Sequence, residues 1–439
     1  MATLIVAGSL AACSGGGGSA TSHGSCTNKI TKTSAPVVTM WAWYPNMKLV
    51  IDNFNKAHDD VQVCWTNVGG GKPEYDKFQT AITAGKGAPD VVMVEADHIP
   101  SYQIQGALVD MTKYGANDLK KNFSAGAWKD VSVGSGVYGA PIDGGPMAMI
   151  YRKDVFAKYG ISTPPTTWAE FQDDAQAVKD AGGPVFADFA ANAAAPLVAL
   201  ESQAGAKPFT YDSAHPKSIA INLNDAASKK VLDYWAGLSA KGLVGTADQF
   251  TPDYISGVIA GDYATYISAA WAPGYLQGAG VGKGADADVW ATAPLPQWDK
   301  SKPVQVNWGG SAFSVTSQAK DPKLASEVAL GVYADDASLT DGWKTQTIFP
   351  LNVNALSSSA FVDLKSDFFG GQQANKEVYI PAANGYKGLT YTPFQQYFYD
   401  AFTKQIKAIN DGTSTGSQAA DALQADVAGY AKDQGFTVK

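Results

Sequence analysis

The chain has 439 residues, with 33 Lys plus Arg against 41 Asp plus Glu, and so a net charge of −8. Hydrophobic residues make up 45% and charged residues 17%, the composition of a folded chain long enough for two or three domains, not of a disordered one. The acidic balance argues against nucleic acid and against a basic membrane-surface patch, while 11 Trp, 20 Tyr and 18 Phe leave rings for flat binding surfaces as well as for cores.

Residues 1–12 carry no charge and are too short to span a bilayer. They read as the apolar remnant of a signal peptide. Leu10-Ala11-Ala12-Cys13 resembles a bacterial lipobox, with one departure: no Lys or Arg precedes the apolar run. Ser14 to Ala20 has a flexible linker composition, so residues 13–35 read as a tether. The lipobox resemblance implies lipidation of Cys13 and a place on the extracellular face of the cell membrane. Cys26 and Cys64 then remain, in a compartment where disulfides persist. Their pairing is expected, against the alternative of two free buried thiols.

Residues 37–41 form a short β-rich run, read as a strand. Residues 47–58 follow with Val50, Phe54 and Ala57 at helical spacing. Residues 61–65 read as a second strand. Tyr75, Phe78 and Ile82 mark a second helix, ended near Gly85 and Gly87. Residues 89–94 are continuous and apolar, as in a buried parallel sheet. This alternation indicates an α/β fold. Residues 137–142 and 147–151 read as extended. Thr167 and Glu170 fit a capping box. A helix over 224–241 places Val231, Tyr234 and Leu238 on one face and closes at Gly242, and Trp235 within it reads as structural. Asp321-Pro322 opens another helix. Residues 395–409 form a long helix, and a last one carries Leu423, Val427 and Tyr430.

Catalytic chemistry is sparse. His23, His58, His98 and His215 are scattered without a metal-ligand pattern, so neither metal nor cofactor is expected. No nucleophile elbow or P-loop is read. Gly134 to Gly139 spells G-x-G-x-x-G, but Ala140-Pro141-Ile142 follows in place of a helix, which points to a turn before a strand. Glu95, Asp97 and Asp143 lie at strand ends. Such carboxylates serve a glycosidase pair or simply accept sugar hydroxyls.

Several segments, in family order, resemble the extracellular solute-binding proteins of bacterial ABC importers, in the branch that carries sugars. They are Gly87-Ala88-Pro89-Asp90-Val91-Val92, Tyr138-Gly139-Ala140-Pro141 running on to Ile150-Tyr151-Arg152-Lys153-Asp154, and Pro164-Pro165-Thr166-Thr167-Trp168-Ala169-Glu170-Phe171. Ala269-Ala270-Trp271, Gly309-Gly310 with Lys320-Asp321-Pro322, and Asn410-Asp411-Gly412 with Ala422-Leu423 complete the set. The resemblance implies two α/β lobes with ligand in the cleft between them. Lobe 1 would comprise 36–143 and 296–340, and lobe 2 144–295 and 341–439, with crossings near 143–146, 294–298 and 335–345. It implies a binding protein, not an enzyme. Such a protein captures a di- to tetrasaccharide and delivers it to the transmembrane permease subunits of an ABC transporter, as a monomer. A secreted glycoside hydrolase using Glu95, Asp97 or Asp143, and a surface lectin, are the alternatives.

Sugar rings offer apolar C–H faces and a rim of hydroxyls, which flat aromatic rings and carboxylates or amides suit. Four places offer that mixture. Trp43, Tyr44 and Asn46 follow the first strand. Asp97 falls where the family has a sugar-binding carboxylate, though it could equally cap a helix. Asp143 and Gly144 sit at the first crossing. Trp271 matches the family's stacking tryptophan. Trp308 and Gly309 in the second lobe-crossing region, and Tyr386, Tyr391 and Gln395 near the late helix, are further candidates.

Overall fold

The computed structural model describes residues 26–211, 215–334 and 336–439. Cys13, the apolar run 1–12 and the first part of the tether lie outside the described residues. The main sheet has seven strands: β1 (Val37–Trp41), β2 (Gln62–Thr66), β3 (Val91–Glu95), β4 (Ala140–Arg152), β5 (Thr265–Ala269), β6 (Trp290–Pro294) and β7 (Asn307–Val315). Helices α1 (Met47–Ala57) and α2 (Lys72–Ala84) make the crossovers β1–α1–β2–α2–β3. The three strands are parallel, with β1 in the middle. Val91 to Val94 are buried, as a strand covered on both faces requires.

β4 is one strand of 13 residues where two extended runs are expected from the sequence. Its first part pairs antiparallel with β7, which also pairs with β3. Its second part lies between β5 and β6. Successive side chains there alternate between two cores: Met147 and Met149 enter one, Ala148 and Ile150 the other. A third core covers β1–β3 and takes in Val328 and Val332. The long strands β4 and β7 thus run from one lobe into the other.

The passage of β4 lies at 143–146 and that of β7 at 307–310. Residues 296–306, expected in lobe 1, remain with lobe 2, because Leu295 and Val306 pack in its core and the first pairing of β7, Asn307 with Pro146, is still at the passage. A third segment passes later than residue 340: Gly144 N–H donates to the Phe349 carbonyl and Leu351 N–H to that of Ile142.

Local signals explain the flanking helices. The Thr167 hydroxyl and the Glu170 carboxylate form a reciprocal cap on Trp168–Asp180. Asp321 caps Pro322–Gly331. Trp235 is buried in the lobe 2 core. The G-x-G-x-x-G run is a tight hairpin, Ser132–Val133 against Gly136–Val137, just before β4. Gly412 to Gly416 spells G-x-S-x-G, but it joins helix to helix, with Thr415 capping the second, and so lacks the strand-to-helix turn of a nucleophile elbow. Cys26 and Cys64 form a disulfide that ties the segment before β1 to β2. Among the described residues no helix is long and apolar enough to cross a membrane.

Candidate functional site

The site lies where β4 and β7 pass between the lobes. Their close approach depends on glycine. A Cβ on Gly145 would stand 1.7 Å from the Trp308 carbonyl oxygen, and Gly309 and Gly310 hold φ of 85° and 124°, conformations that side chains rarely allow. Asn307 locks the pair, its Oδ1 accepting from Gly145 N–H at 2.8 Å and its amide donating to the Gly309 carbonyl.

At the floor, β4, β7 and the loop after β1 converge on one carboxylate. Asp143, 8% exposed, accepts at Oδ1 from the Tyr44 hydroxyl (2.6 Å) and the Ser311 N–H (2.8 Å). Burial pushes the Asp143 carboxyl up to about 6, against the lowering effect of those bonds. Burial and the Asp143 charge hold the Tyr44 phenol well above its usual range.

One wall comes from the end of β3. Glu95 Oε2 accepts from the Tyr75 hydroxyl at 2.8 Å. The Tyr75 ring stacks on His98, with centroids 4.2 Å apart, and meets Trp43 edge-on at 5.8 Å. His98 Nδ1 lies 2.6 Å from Asp97 Oδ1, and the Tyr399 hydroxyl reaches across from lobe 2 to donate to Asp97 Oδ2 at 3.0 Å. Burial raises Glu95 to about 6, with the Asp97 charge adding to it. Burial would also raise Asp97, but the His98 charge and the bonds from His98 and Tyr399 outweigh it and hold Asp97 below the usual carboxylate range. His98 is correspondingly raised: burial opposes its charge and Asp97 overcomes that. Glu95, Asp97 and His98 bring three possible ligand atoms within 4.8 Å of one another, the one such group among the described residues. In this structure those groups are joined by hydrogen bonds to each other and to the tyrosines.

The facing wall is aromatic. Trp271 and Trp308 meet edge-to-face with centroids 4.8 Å apart, and the Trp271 indole N–H donates to the Trp308 carbonyl at 2.9 Å. Tyr386 and Tyr391 line the far side. The Tyr386 hydroxyl and the Leu389 N–H converge on Asp130 Oδ1, at 3.1 and 3.0 Å. Burial raises the Asp130 carboxyl to about 7.

Two adjoining cavities open among these groups. One, of about 20 Å³, is lined by Asp143, Gly144, Ser311 and Tyr386. The other, also about 20 Å³, is lined by Asp97, Trp308, Tyr391 and Tyr399. They share Ala96, Asn307, Gly309 and Gly310. Gln395 lies beyond, on an open groove of about 530 Å³ that shares Tyr386 and Tyr391, and its Oε1 accepts from Thr392 N–H.

Most residues singled out from the sequence therefore meet around one cleft: Asp97, Asp143, Gly144, Trp308, Gly309, Tyr386 and Tyr391 on the cavities, with Tyr44 bonded to Asp143 and Trp271 against Trp308. Trp43 is set back behind Tyr75 and packs over Gly70. Asn46 departs from the expectation: it is exposed, has φ of 53°, and its amide donates to the Thr345 carbonyl, so it fastens the start of α1 to the end of Asp336–Thr345. Tyr75, His98, Asp130, Asn307, Ser311 and Tyr399 are not singled out by the sequence. Tyr399 had a signal, since it lies four residues after Gln395 on the same helix face.

A two-lobed α/β architecture, with a sheet crossing between lobes and a polar and aromatic cleft at the crossing, defines a ligand-capturing protein. The profile of the bacterial extracellular solute-binding proteins matches residues 44–329, well over half of the chain, and the chain belongs to that family. It is similar to the lactose-binding protein of Rhizobium radiobacter, 24% identical over 87% of this chain and 90% of the relative. Among solved structures it is similar to an ABC transporter associated binding protein from B. animalis subsp. lactis Bl-04 in complex with β-1,6-galactobiose. That match is 27% identical with a TM-score of 0.78, over 92% of this chain and all of the other. The galacto-N-biose-/lacto-N-biose I-binding protein from Bifidobacterium longum shares the fold, with a TM-score of 0.80 at 24% identity over 92% of this chain and 99% of the other.

Proposed function

We propose that the chain is the sugar-capturing subunit of an ABC importer. It binds a di- to tetrasaccharide in the cleft without turnover, closes on it, and passes it to the transmembrane permease subunits. It works as a monomer at the extracellular face of the cell membrane, anchored by lipid on Cys13, and it takes no nucleic-acid partner. The observation that carries this reading is the facing of unlike walls across one crossing: a hydrogen-bonding network of Asp97, His98 and Tyr399 opposite the Trp271–Trp308 corner. Hydroxyls suit the first and the C–H face of a pyranose the second. The disaccharides named for the relatives support the shorter end of the range.

Titration calorimetry with lactose, β-1,6-galactobiose, lacto-N-biose and maltose tests it. Saturable heat with at least one sugar, and recovery of that sugar intact after long incubation, is the expected result. Monosaccharide release that Asp143→Asn abolishes would establish the hydrolase instead.

A further inference from the structure

Phe250 is one of the few large apolar side chains left at the surface, 49% exposed, and it stands in a left-handed backbone conformation with φ of 63°. For a bulky residue that conformation is an outlier, and such outliers collect at functional sites because only a surrounding structure that over-determines them can hold them. Here the holding groups are visible. The Asn192 side chain grips both backbone groups of the preceding residue: its amide donates to the Gln249 carbonyl at 2.9 Å, and its Oδ1 accepts from Gln249 N–H at 3.0 Å. The Gln249 side chain donates to Asp188, which also accepts from the Tyr254 hydroxyl at 3.2 Å. On the other side Thr251 caps Pro252–Ala260, its Oγ1 accepting from Tyr254 N–H at 3.2 Å. The loop is fixed at both ends, and the strained residue between presents an exposed ring.

That ring meets the aromatic wall. Its centroid is 6.1 Å from Trp271 with planes tilted by 31°, 6.1 Å from Trp308 at 66°, and 5.1 Å from Tyr275. Because Trp271 and Trp308 are themselves partly buried, Phe250 is the most open ring of the corner. A loop selected only for packing would turn this ring inward or carry glycine at the left-handed position.

We propose that Phe250 is a ligand-contacting and specificity-determining residue. It extends the Trp271–Trp308 corner into a three-ring cradle for the apolar face of a sugar ring, with Asn192 and Asp188 as positioning residues that hold it there. This rests on the proposed sugar-capturing function.

Two substitutions separate ring from backbone. Phe250→Asn keeps a residue that tolerates the left-handed conformation and removes the ring. Phe250→Tyr keeps the ring. Calorimetry uses the four sugars named above, with unliganded thermal unfolding on the same samples. The expected result is a tenfold or greater loss of affinity in Phe250→Asn at unchanged or higher melting temperature, with affinity restored to within threefold in Phe250→Tyr. Equal affinity of wild type and Phe250→Asn would overturn the assignment while leaving the sugar reading intact. Absence of binding to any of the sugars by wild type would overturn the sugar reading and this one with it. A loss of affinity matched by a loss of folded protein would assign Phe250 to packing and likewise overturn the proposal.

Discussion

The two walls of the cleft are built on opposite plans. The lobe 1 wall is a closed hydrogen-bond network at the end of a parallel strand, in which Glu95, Asp97 and His98 already have partners. The lobe 2 wall is a cluster of rings, in which the Trp271 indole N–H is satisfied by a backbone carbonyl and the rings stay only partly buried. A ligand hydroxyl must exchange bonds with the first wall, which gains little net free energy and much selectivity. A sugar face adds contact to the second without breaking anything. If the chain captures sugar as proposed, affinity would come mainly from lobe 2 and discrimination mainly from lobe 1.

The comparison breaks altogether if the walls are moved apart. Gly145→Ala forces a methyl into the Trp308 carbonyl at a place where both strands are pinned by Asn307. We expect a loss of about 3 kcal/mol of stability or more, from overpacking at a site with no room to relax, and weakened binding in the protein that remains folded. Chemical denaturation with affinity measured on one preparation checks this. A melting curve like that of wild type would mean that the crossing is not the fixed frame described here.

The floor under both walls gives a pH test. The folded Asp143 pKa, about 6, stands above its unfolded value of about 3.9. The folded state therefore holds the proton more tightly. Asp143 is least unfavourable below pH ~4, its cost grows as pH rises to about 6, and it is constant above. The full span is about 2–3 kcal/mol. Asp143→Asn keeps an acceptor at Oδ1 for Tyr44 and Ser311 and has no titration. The variant should lose that slope and match or exceed wild-type stability at pH 7, as unfolding curves between pH 4 and 7 will read. If its affinity falls all the same, the floor belongs to the discriminating side.

The aromatic wall is tested by Trp271→Ala. We expect a tenfold to hundredfold loss of affinity, about 1–3 kcal/mol. Trp271 is only half-buried, so unliganded stability should fall by less than the ~3–5 kcal/mol that a core tryptophan costs on truncation. The reverse pattern, large instability at unchanged affinity, would move Trp271 into the core and leave the second wall without its centre.

Much of this was legible in the chain, and what was not has a common cause. Continuous apolar runs marked β1 and β3, and caps at Thr167 and Asp321 marked helix starts, because those signals act over a few residues. Tyr44, Asp143 and Trp271 stood out as aromatic or acidic residues at strand ends. The role of Asn307 and Ser311 depends on the register of β7 against β4, set across more than 160 residues, and no local pattern encodes it. Phe250 sits in a loop whose conformation is imposed by Asn192 and Asp188. The family resemblance implied a crossing near 294–298, yet Leu295 and Val306 keep the segment 296–306 in lobe 2.

The smallest effect is expected from the Asp97–His98 pair at the polar wall. Asp97 is held below its ordinary pKa, so its contribution is present above its unfolded value and is lost as pH falls through the folded one. His98 is held above its ordinary pKa, so its contribution is present below the unfolded value and is lost as pH rises through the folded one. Their shared stabilisation therefore fills the window between the two folded values. Asp97→Asn removes the charge that raises His98 and one of the two acceptors used by His98 and Tyr399. Because the groups are mostly but not fully buried, the loss should be about 1 kcal/mol, and affinity should fall severalfold as the Tyr399 bridge weakens. The sharper sign is in the pH profile. Wild-type affinity should decline on the alkaline side as His98 gives up its proton, whereas Asp97→Asn, with His98 neutral at lower pH, should show that decline shifted down. Identical profiles for the two proteins would mean that the network stands aside from ligand recognition, and discrimination would then have to come from the rings.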